Sequence, residues 1–111
     1  RMFPGRVVLI SDSMRATGLE DGTYDLGGQQ VTVNGKLATL ASGTIAGSAT
    51  NLYDCMRTAV SFGIPREEAI AAATMNPAKS IGVYDEVGSL TPGKRADVVL
   101  ADRDLKLVKV L

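Results

Sequence analysis

The polar run Ser11-Asp12-Ser13 is the part of this sequence best suited to moving a proton. It directly follows Val7-Val8-Leu9-Ile10, an apolar and mostly β-branched run that predicts a strand buried on both faces of a parallel sheet. Polar residues after such a strand lie where α/β barrels place their active sites, so Asp12 is a candidate catalytic carboxylate. Ser and Asp also favour helix N-caps and Asx-turns, and the pattern alone favours that structural role.

A second run, Ser42-Gly43-Thr44-Ile45-Ala46-Gly47-Ser48, consists mainly of small residues and predicts a loop that leads into a helix. A helix N-terminus favours anions in general, but that signal is weak by itself and we assign no anion to this one. The purely structural alternative is a plain loop in which Ser48 or Thr50 caps the helix.

The composition limits the classes of function. The chain has 111 residues, 45% of them hydrophobic, and a formal net charge of zero, so we expect a globular chain with no nucleic-acid or membrane partner. Cys55 is the single cysteine, which favours a reducing, cytoplasmic setting. The sequence contains no histidine, which excludes a Ser-His-Asp site and argues against a complete zinc or iron site in this chain.

Two kinds of element are expected after residue 28. The Asn34-Gly35 pair between alternating segments predicts a β-hairpin with strands near 29–33 and 36–40. A helix with an apolar face then ends at Gly63, and a second helix runs from Pro65 to Thr74. The face of the first helix is formed by Leu52, Cys55, Met56, Ala59 and Val60.

The C-terminal part has a different character. Asn76-Pro77 predicts the N-cap and first residue of a third helix, which Gly82 ends. Two strands are expected at 96–102 and 105–111, and we place a domain boundary near residue 83.

Several of these segments, in this order and spacing, resemble the last third of the N-acetylglucosamine-6-phosphate deacetylase family, which belongs to the amidohydrolase superfamily. The resemblance extends from about Pro4 to the end of the chain. The segments that carry it are Ser-Asp-Ser-Met at 11–14, Leu-Gly-Gly at 26–28, Gly-Thr-Ile-Ala-Gly-Ser at 43–48, Ala-Thr-Met-Asn-Pro-Ala at 73–78, and the stretch from 88 to 97.

The resemblance implies an α/β fold. The chain would be the C-terminal fragment of a (β/α)8 TIM-barrel metal-dependent hydrolase with an inserted β-hairpin, plus strands of a small β-sandwich domain. Residues 1–82 would form the end of the barrel, with its last strand, the hairpin and the helices, and residues 83–111 the sandwich strands. The resemblance further implies a divalent metal, zinc or iron, whose glutamate and histidine ligands lie on earlier strands. This chain would then hold no metal ligand and would be inactive alone.

The resemblance also assigns roles to residues. Asp12 matches the catalytic aspartate, which acts as general base and then general acid, while Ile45, Ala46 and Gly47 match the loop that contacts the sugar phosphate through backbone groups. The implied reaction hydrolyses N-acetyl-D-glucosamine 6-phosphate to D-glucosamine 6-phosphate and acetate in amino-sugar catabolism. We expect a small-molecule partner and a homodimer or higher oligomer. Arg15 lies close to Asp12 in sequence and is a further candidate for the site.

Two alternatives remain open. One is another amidohydrolase, such as a cyclic amidase, against which the sugar-phosphate loop argues. The other is a non-catalytic domain or assembly module, which the missing metal ligands favour for the isolated chain. In that case the strand at residues 7–10 would be exposed and would seek a partner edge.

Overall fold

A computed structural model describes residues 3–14, 16–35 and 37–111, and the side chain of Leu26 lies outside this description. Arg15, the further site candidate, and Lys36, in the predicted hairpin, also lie outside it. Contacts divide the chain into two compact units. One is Ile10–Cys55, and the other combines the segment that ends at Leu9 with Met56–Leu111.

The first unit contains a four-stranded antiparallel sheet in the order β1-β2-β3-β4. Its strands are β1 (Gly22–Leu26), β2 (Gln29–Asn34), β3 (Leu37–Leu40) and β4 (Ile45–Ser48). One face of β2 is buried because Val31 and Val33 alternate with polar residues along it, and Ala38 of β3 is buried beside them. The core cluster of this unit consists of Ala16, Val31, Val33 and Ala38.

The predicted hairpin is confirmed as β2 and β3, but its turn is shifted by one residue. Asn34 is the last residue of β2 and pairs with Leu37, so the turn begins at Gly35. Gly35 has a φ of 65°, which glycine adopts without steric cost. Its amide donates to Asp21 Oδ1 at 2.9 Å, a contact between residues 14 positions apart that the turn pattern does not reveal.

Two further strands were not expected. Residues 15–30 are rich in turn formers, yet Gly22–Leu26 forms β1 along β2. The small-residue run predicted as a loop contains β4, which pairs with β3. Both strands gain their hydrogen bonds from a neighbouring strand, so neither needs a strong strand propensity of its own.

The predicted buried strand at residues 7–10 is wrong in this structure. Val7 is 47% exposed, Val8 37% and Ile10 75%, and no strand is assigned to these residues. A strand buried on both faces needs sheet neighbours on its two edges and layers above and below it. Within the described part of the chain, no other strand pairs with residues 7–10.

Three helices follow the sheet, and the limits of the first two match the sequence pattern closely. They are α1 (Leu52–Ser61), α2 (Arg66–Ala73) and α3 (Met75–Ser80). Met56 on the predicted apolar face is buried, and Gly63 with a φ of 97° follows the end of α1. Pro65 precedes α2, and the acidic residues of its first turn meet the positive end of the helix dipole.

The start of α3 differs from the prediction. The sequence placed Asn76 at the N-cap, whereas α3 begins at Met75 and its N-cap is Thr74. Asn76 therefore lies inside the helix, where it is only 7% exposed. Its carboxamide makes a tertiary hydrogen bond instead of capping the helix.

The last two strands are confirmed, although they are shorter than predicted. β5 (Val99–Ala101) and β6 (Leu107–Val110) form an antiparallel pair. In the turn between them, Asp102 Oδ1 accepts hydrogen bonds from the amides of Asp104 and Lys106 at 2.9 and 2.8 Å. No helix in the described part of the chain is both long and apolar enough to cross a membrane.

Candidate functional site

Asp12 lies in the unit Ile10–Cys55 with an exposed side chain and an unusual backbone conformation. Its φ is 50°, in the left-handed region that costs most residues energy and that Asp and Asn tolerate better. Within the described residues, its carboxylate has no hydrogen-bond or ion-pair partner. The side chain therefore serves neither as a helix cap nor in an Asx-turn, and it is free to act on a ligand.

The backbone around Asp12 is fixed to β4. The carbonyl oxygen of Asp12 accepts a hydrogen bond from the amide of Ser48 at 3.1 Å, and the carbonyl of Ser48 accepts one from the amide of Met14 at 3.0 Å. These two bonds form a parallel bridge between Ser13 and Ser48. The bridge brings the segment that contains the candidate carboxylate beside the candidate substrate-binding run.

Hydroxyl groups reinforce this connection. Ser13 Oγ donates to the carbonyl of Thr50 at 2.7 Å and is hydrogen-bonded with Ser11 Oγ at 2.6 Å. Thr17 Oγ1 donates to the carbonyl of Ser48 at 3.1 Å, so that carbonyl receives bonds from both Met14 and Thr17. The hydroxyl of Ser13 therefore helps to fix the backbone beside Asp12.

The three predicted substrate-binding residues lie on β4, where their side chains have different surroundings. Ile45 is 69% exposed, whereas Ala46 packs against the core cluster of Ala16, Val31, Val33 and Ala38. The side chain of Ala46 is thus occupied by packing in the core. The pairing with β3 is irregular at this point, because the register passes from Gly47 to Ile45 without Ala46.

Gly47 lies beside the backbone of Asp12 and the side chain of Met14. A Cβ atom built on Gly47 would lie 3.8 Å from the carbonyl oxygen of Asp12 and 3.8 Å from Met14 Sδ, which are ordinary van der Waals distances. Gly47 is not among the residues with positive φ. The fold itself therefore tolerates alanine here, and a need for glycine would have to come from a ligand.

The cap of the following helix is Asn51. Its Oδ1 accepts a hydrogen bond from the amide of Asp54 at 2.8 Å, the usual contact from an N-cap side chain to the third helical residue. Its carbonyl accepts the amide of Cys55 at 3.1 Å. Ser48 and Thr50, the caps of the structural alternative, bond to each other instead, since Ser48 Oγ accepts the amide of Thr50 at 3.1 Å.

Comparison with protein-family models gives a match to the amidohydrolase family over residues 6–110. The chain belongs to the amidohydrolase family. This membership agrees with the resemblance carried by the segments at 11–14, 43–48 and 73–78, and it covers both compact units of the chain.

Individual amidohydrolases in the comparison are amino-sugar phosphate deacetylases. The chain is 43% identical over 104 residues to the N-acetylglucosamine-6-phosphate deacetylase of Bacillus subtilis (strain 168). The matched region covers 93% of this chain and 26% of that protein. It is 42% identical over 106 residues to a putative N-acetylgalactosamine-6-phosphate deacetylase of Escherichia coli (strain K12). This match covers 95% of this chain and 64% of that protein. The chain thus spans about a quarter of the Bacillus relative.

Solved structures of this family match the fold. The N-acetylglucosamine-6-phosphate deacetylase of Pasteurella multocida superimposes with a TM-score of 0.89 at 26% identity, over 96% of this chain and 28% of that one. An aspartate-to-alanine mutant of the Mycobacterium smegmatis enzyme, in complex with N-acetyl-D-glucosamine-6-phosphate, matches with a TM-score of 0.82 at 38% identity. That match covers 98% of this chain and 30% of the other.

The residues of this amidohydrolase chain do not fit a metal site of their own. Within the described residues, no three His, Cys, Asp or Glu side chains are grouped closely enough to hold a metal ion. The printed sequence contains no histidine to complete such a group. The ligands of a metal ion would therefore have to come from outside this chain.

The sequence pattern did not predict the residues that hold the backbone of the candidate site in place. Ser48 and Thr17 act through contacts between residues 31 or more positions apart, which no local pattern announces. The only signal for Ser13 was its place beside Asp12 in a polar run. Asn76 carried a stronger but misleading signal, because Asn before Pro is typical of a helix N-cap.

Proposed function

We propose that this chain is the C-terminal part of an N-acetylglucosamine-6-phosphate deacetylase, which hydrolyses N-acetyl-D-glucosamine 6-phosphate to D-glucosamine 6-phosphate and acetate. The observation that carries the proposal is the match along 93% of the chain, at 43% identity, to the Bacillus subtilis deacetylase. The joining of Asp12 to β4 through the Ser48 backbone supports it, because a proton carrier and a substrate-binding strand must lie together.

Asp12 is the proton carrier in this proposal. Its carboxylate takes a proton from the water whose oxygen attacks the acetamido carbonyl carbon. When the tetrahedral intermediate collapses, the carbon–nitrogen bond breaks and Asp12 gives that proton to the departing amine nitrogen. The carboxylate is thereby restored, and the acetyl group leaves as acetic acid, which loses its remaining proton to water or to the product amine and becomes acetate. An exposed carboxylate without a partner in the described structure suits both steps, because no existing bond must be broken first.

The strand β4 is the proposed binding element for the sugar phosphate. Ile45, Ala46 and Gly47 would contact the substrate through backbone groups, since the side chain of Ala46 packs against the core. The irregular pairing at Ala46 supports this role, because β-bulges recur next to active sites and re-aim the backbone.

Deacetylases of the amidohydrolase family are generally metal-dependent. We propose that a divalent metal, zinc or iron, is held by a glutamate and histidines outside this chain and supplies a Lewis acid to the reaction. On this view the isolated chain is inactive, which assays of the chain alone would test. The cytoplasmic location, the homo-oligomer and the division at residues 82 and 83 stay predictions.

A second candidate function is hydrolysis of the C4 epimer, N-acetyl-D-galactosamine 6-phosphate. It is favoured by the 42% identity to the putative N-acetylgalactosamine-6-phosphate deacetylase, which nearly equals the identity to the Bacillus enzyme. The test is to assay the full-length enzyme with both sugar phosphates and compare kcat/KM. A higher value for the gluco epimer supports the first proposal, and a higher value for the galacto epimer replaces it with the second.

A further inference from the structure

The Asn34-Gly35 pair at the end of β2 carries a reactivity that the proposed function does not use. An asparagine side chain can be attacked by the backbone nitrogen of the next residue, and glycine hinders this attack least because it has no Cβ. Both residues are exposed, and the Asn34 carboxamide has no hydrogen-bond partner among the described residues. Its carbonyl carbon is therefore open to attack.

The reaction is an intramolecular deamidation. The Gly35 nitrogen loses its proton and bonds to the side-chain carbonyl carbon of Asn34. The bond from that carbon to the side-chain nitrogen breaks, and ammonia leaves with one added proton. The product is a five-membered succinimide ring. Water then adds to one of the two ring carbonyl carbons and opens the ring, which leaves either aspartate or isoaspartate at position 34.

The Asp21 carboxylate holds the proton that this reaction has to remove. The Gly35 amide donates to Asp21 Oδ1 at 2.9 Å, and both residues belong to the compact unit Ile10–Cys55. A carboxylate is too weak a base to take a proton from a backbone amide near neutral pH, so the bond retains the N–H. Its negative charge also opposes the formation of a negative charge on the Gly35 nitrogen. The attack therefore requires this hydrogen bond to break first.

Strand pairing restrains the other reactant. Asn34 pairs with Leu37 across the turn, and the next pair, Val33 with Ala38, belongs to the core cluster. Ring closure needs the Asn34 carboxamide to turn back onto the Gly35 nitrogen, which an extended residue held in a ladder resists. The hairpin thus restrains the asparagine, while Asp21 holds the attacking amide.

We propose that Asn34 is a latent deamidation site, which the Asp21 carboxylate protects in the folded protein by holding the Gly35 amide. Local opening of the turn frees the amide, so the frequency of opening sets the rate of modification. Isoaspartate would add one methylene carbon to the backbone directly beside the pairs that lead into the core. The inference does not depend on the proposed deacetylase function, because neither residue takes part in that reaction.

The first test compares the full-length wild type with Asp21→Ala and Asp25→Ala. Each protein is incubated at mildly alkaline pH and digested, and fragment mass spectra measure the replacement of the side-chain NH2 by OH at position 34. We expect Asp21→Ala to deamidate about fivefold faster than wild type, the usual effect of one lost hydrogen bond. Asp25 is exposed on β1 and pairs with Gln30, away from the turn, so Asp25→Ala should keep the wild-type rate.

The second test is hydrogen exchange of the Gly35 amide in the same proteins. Exchange also removes this amide proton, so Asp21→Ala should raise the exchange rate by about fivefold as well. The Met14 amide, bonded to the Ser48 carbonyl at 3.0 Å in the same compact unit, is the internal control and should not change.

The inference is overturned if Asp21→Ala deamidates at the wild-type rate. A slower rate would also overturn it, because Asp21 would then act as a base that promotes the attack. Equal acceleration in Asp25→Ala would assign the effect to net charge, and faster exchange at Met14 would assign it to loss of the fold. Faster deamidation and exchange confined to Asp21→Ala, with Met14 unchanged, support the protective role.

Discussion

The backbone carbonyl of Asp12 and the amide of Ser48 are joined by a 3.1 Å hydrogen bond. The two residues are 36 positions apart in sequence, yet this bond places the candidate carboxylate at the end of β4. The φ of 50° at Asp12 is accommodated in the same bridge. A strained backbone at an exposed carboxylate is a feature found at functional sites, where the surrounding structure fixes the conformation.

Replacing Gly47 tests whether β4 touches the substrate. We expect Gly47→Ala to fold normally, because the added Cβ meets only ordinary contacts at 3.8 Å or more. If the sugar phosphate lies against the backbone, the methyl group should raise KM by roughly tenfold and leave kcat nearly unchanged. The measurement is steady-state kinetics of the full-length enzyme.

Gly22→Ala is the matched control for that experiment. Gly22 lies in β1 of the same sheet, and an added Cβ would also meet nothing closer than 3.8 Å. Its KM should equal that of the wild type. Equal KM values for both variants would show that β4 does not contact the substrate at Gly47.

Replacing Gly88 tests the packing of the compact unit that contains Met56–Leu111. Its φ is 98°, and a Cβ would lie 2.8 Å from Ala78 Cβ and 3.3 Å from the Thr74 carbonyl oxygen. We expect Gly88→Ala to lower the free energy of unfolding by about 3 kcal/mol, through steric overlap and backbone strain. Chemical denaturation of the chain measures this change.

Gly93 separates the two causes at Gly88. It has a similar φ of 93°, but a Cβ there would meet no atom within 4 Å. Gly93→Ala should therefore show the strain alone, a loss of about 1 kcal/mol. If the two alanine variants proved equally stable, close packing around Gly88 would not be the reason for glycine.

Asn51 tests the cap of α1. Removing the acceptor of the Asp54 amide in Asn51→Ala should lower the free energy of unfolding by about 1 kcal/mol, the typical value of an N-cap. Asn51→Ser keeps a capping oxygen and should retain most of the stability. Equal losses in both variants, measured by denaturation, would argue that the side-chain bond contributes little.

Local patterns predicted the elements whose partners lie close in sequence. The hairpin of β2 and β3, the helix α1 and the strands β5 and β6 follow from alternation, helical periodicity and turn residues. In contrast, β1 and β4 are strands because they pair with β2 and β3. Their own sequences are rich in turn formers or small residues, so no local pattern predicted a strand there. The run at residues 7–10 failed for the opposite reason, because its apolar pattern anticipates sheet neighbours that the described chain does not provide.

The residues of the candidate site stay predictions, and the sequence did not indicate which bonds hold their segments together. Asp12 and the residues of β4 came from the family resemblance, and the structure brings the two segments together. The bonds that hold them, from Ser13 to Thr50 and from Thr17 to Ser48, depend on distances in the folded chain. Asn76 was misplaced because a short motif cannot distinguish a capping side chain from one that bonds across 69 residues.

The most direct test of the account is the kcat/KM of Asp12→Asn in the full-length enzyme with N-acetyl-D-glucosamine 6-phosphate. Asparagine also tolerates the left-handed φ of 50°, so the backbone bond to Ser48 should persist while the proton carrier is lost. Asp25→Asn, on an exposed position of β1, is the control for the change of charge. We predict a fall of about 10²–10⁴-fold for Asp12→Asn, with metal content and melting temperature unchanged and Asp25→Asn fully active. An Asp12→Asn enzyme that keeps wild-type turnover would contradict the account.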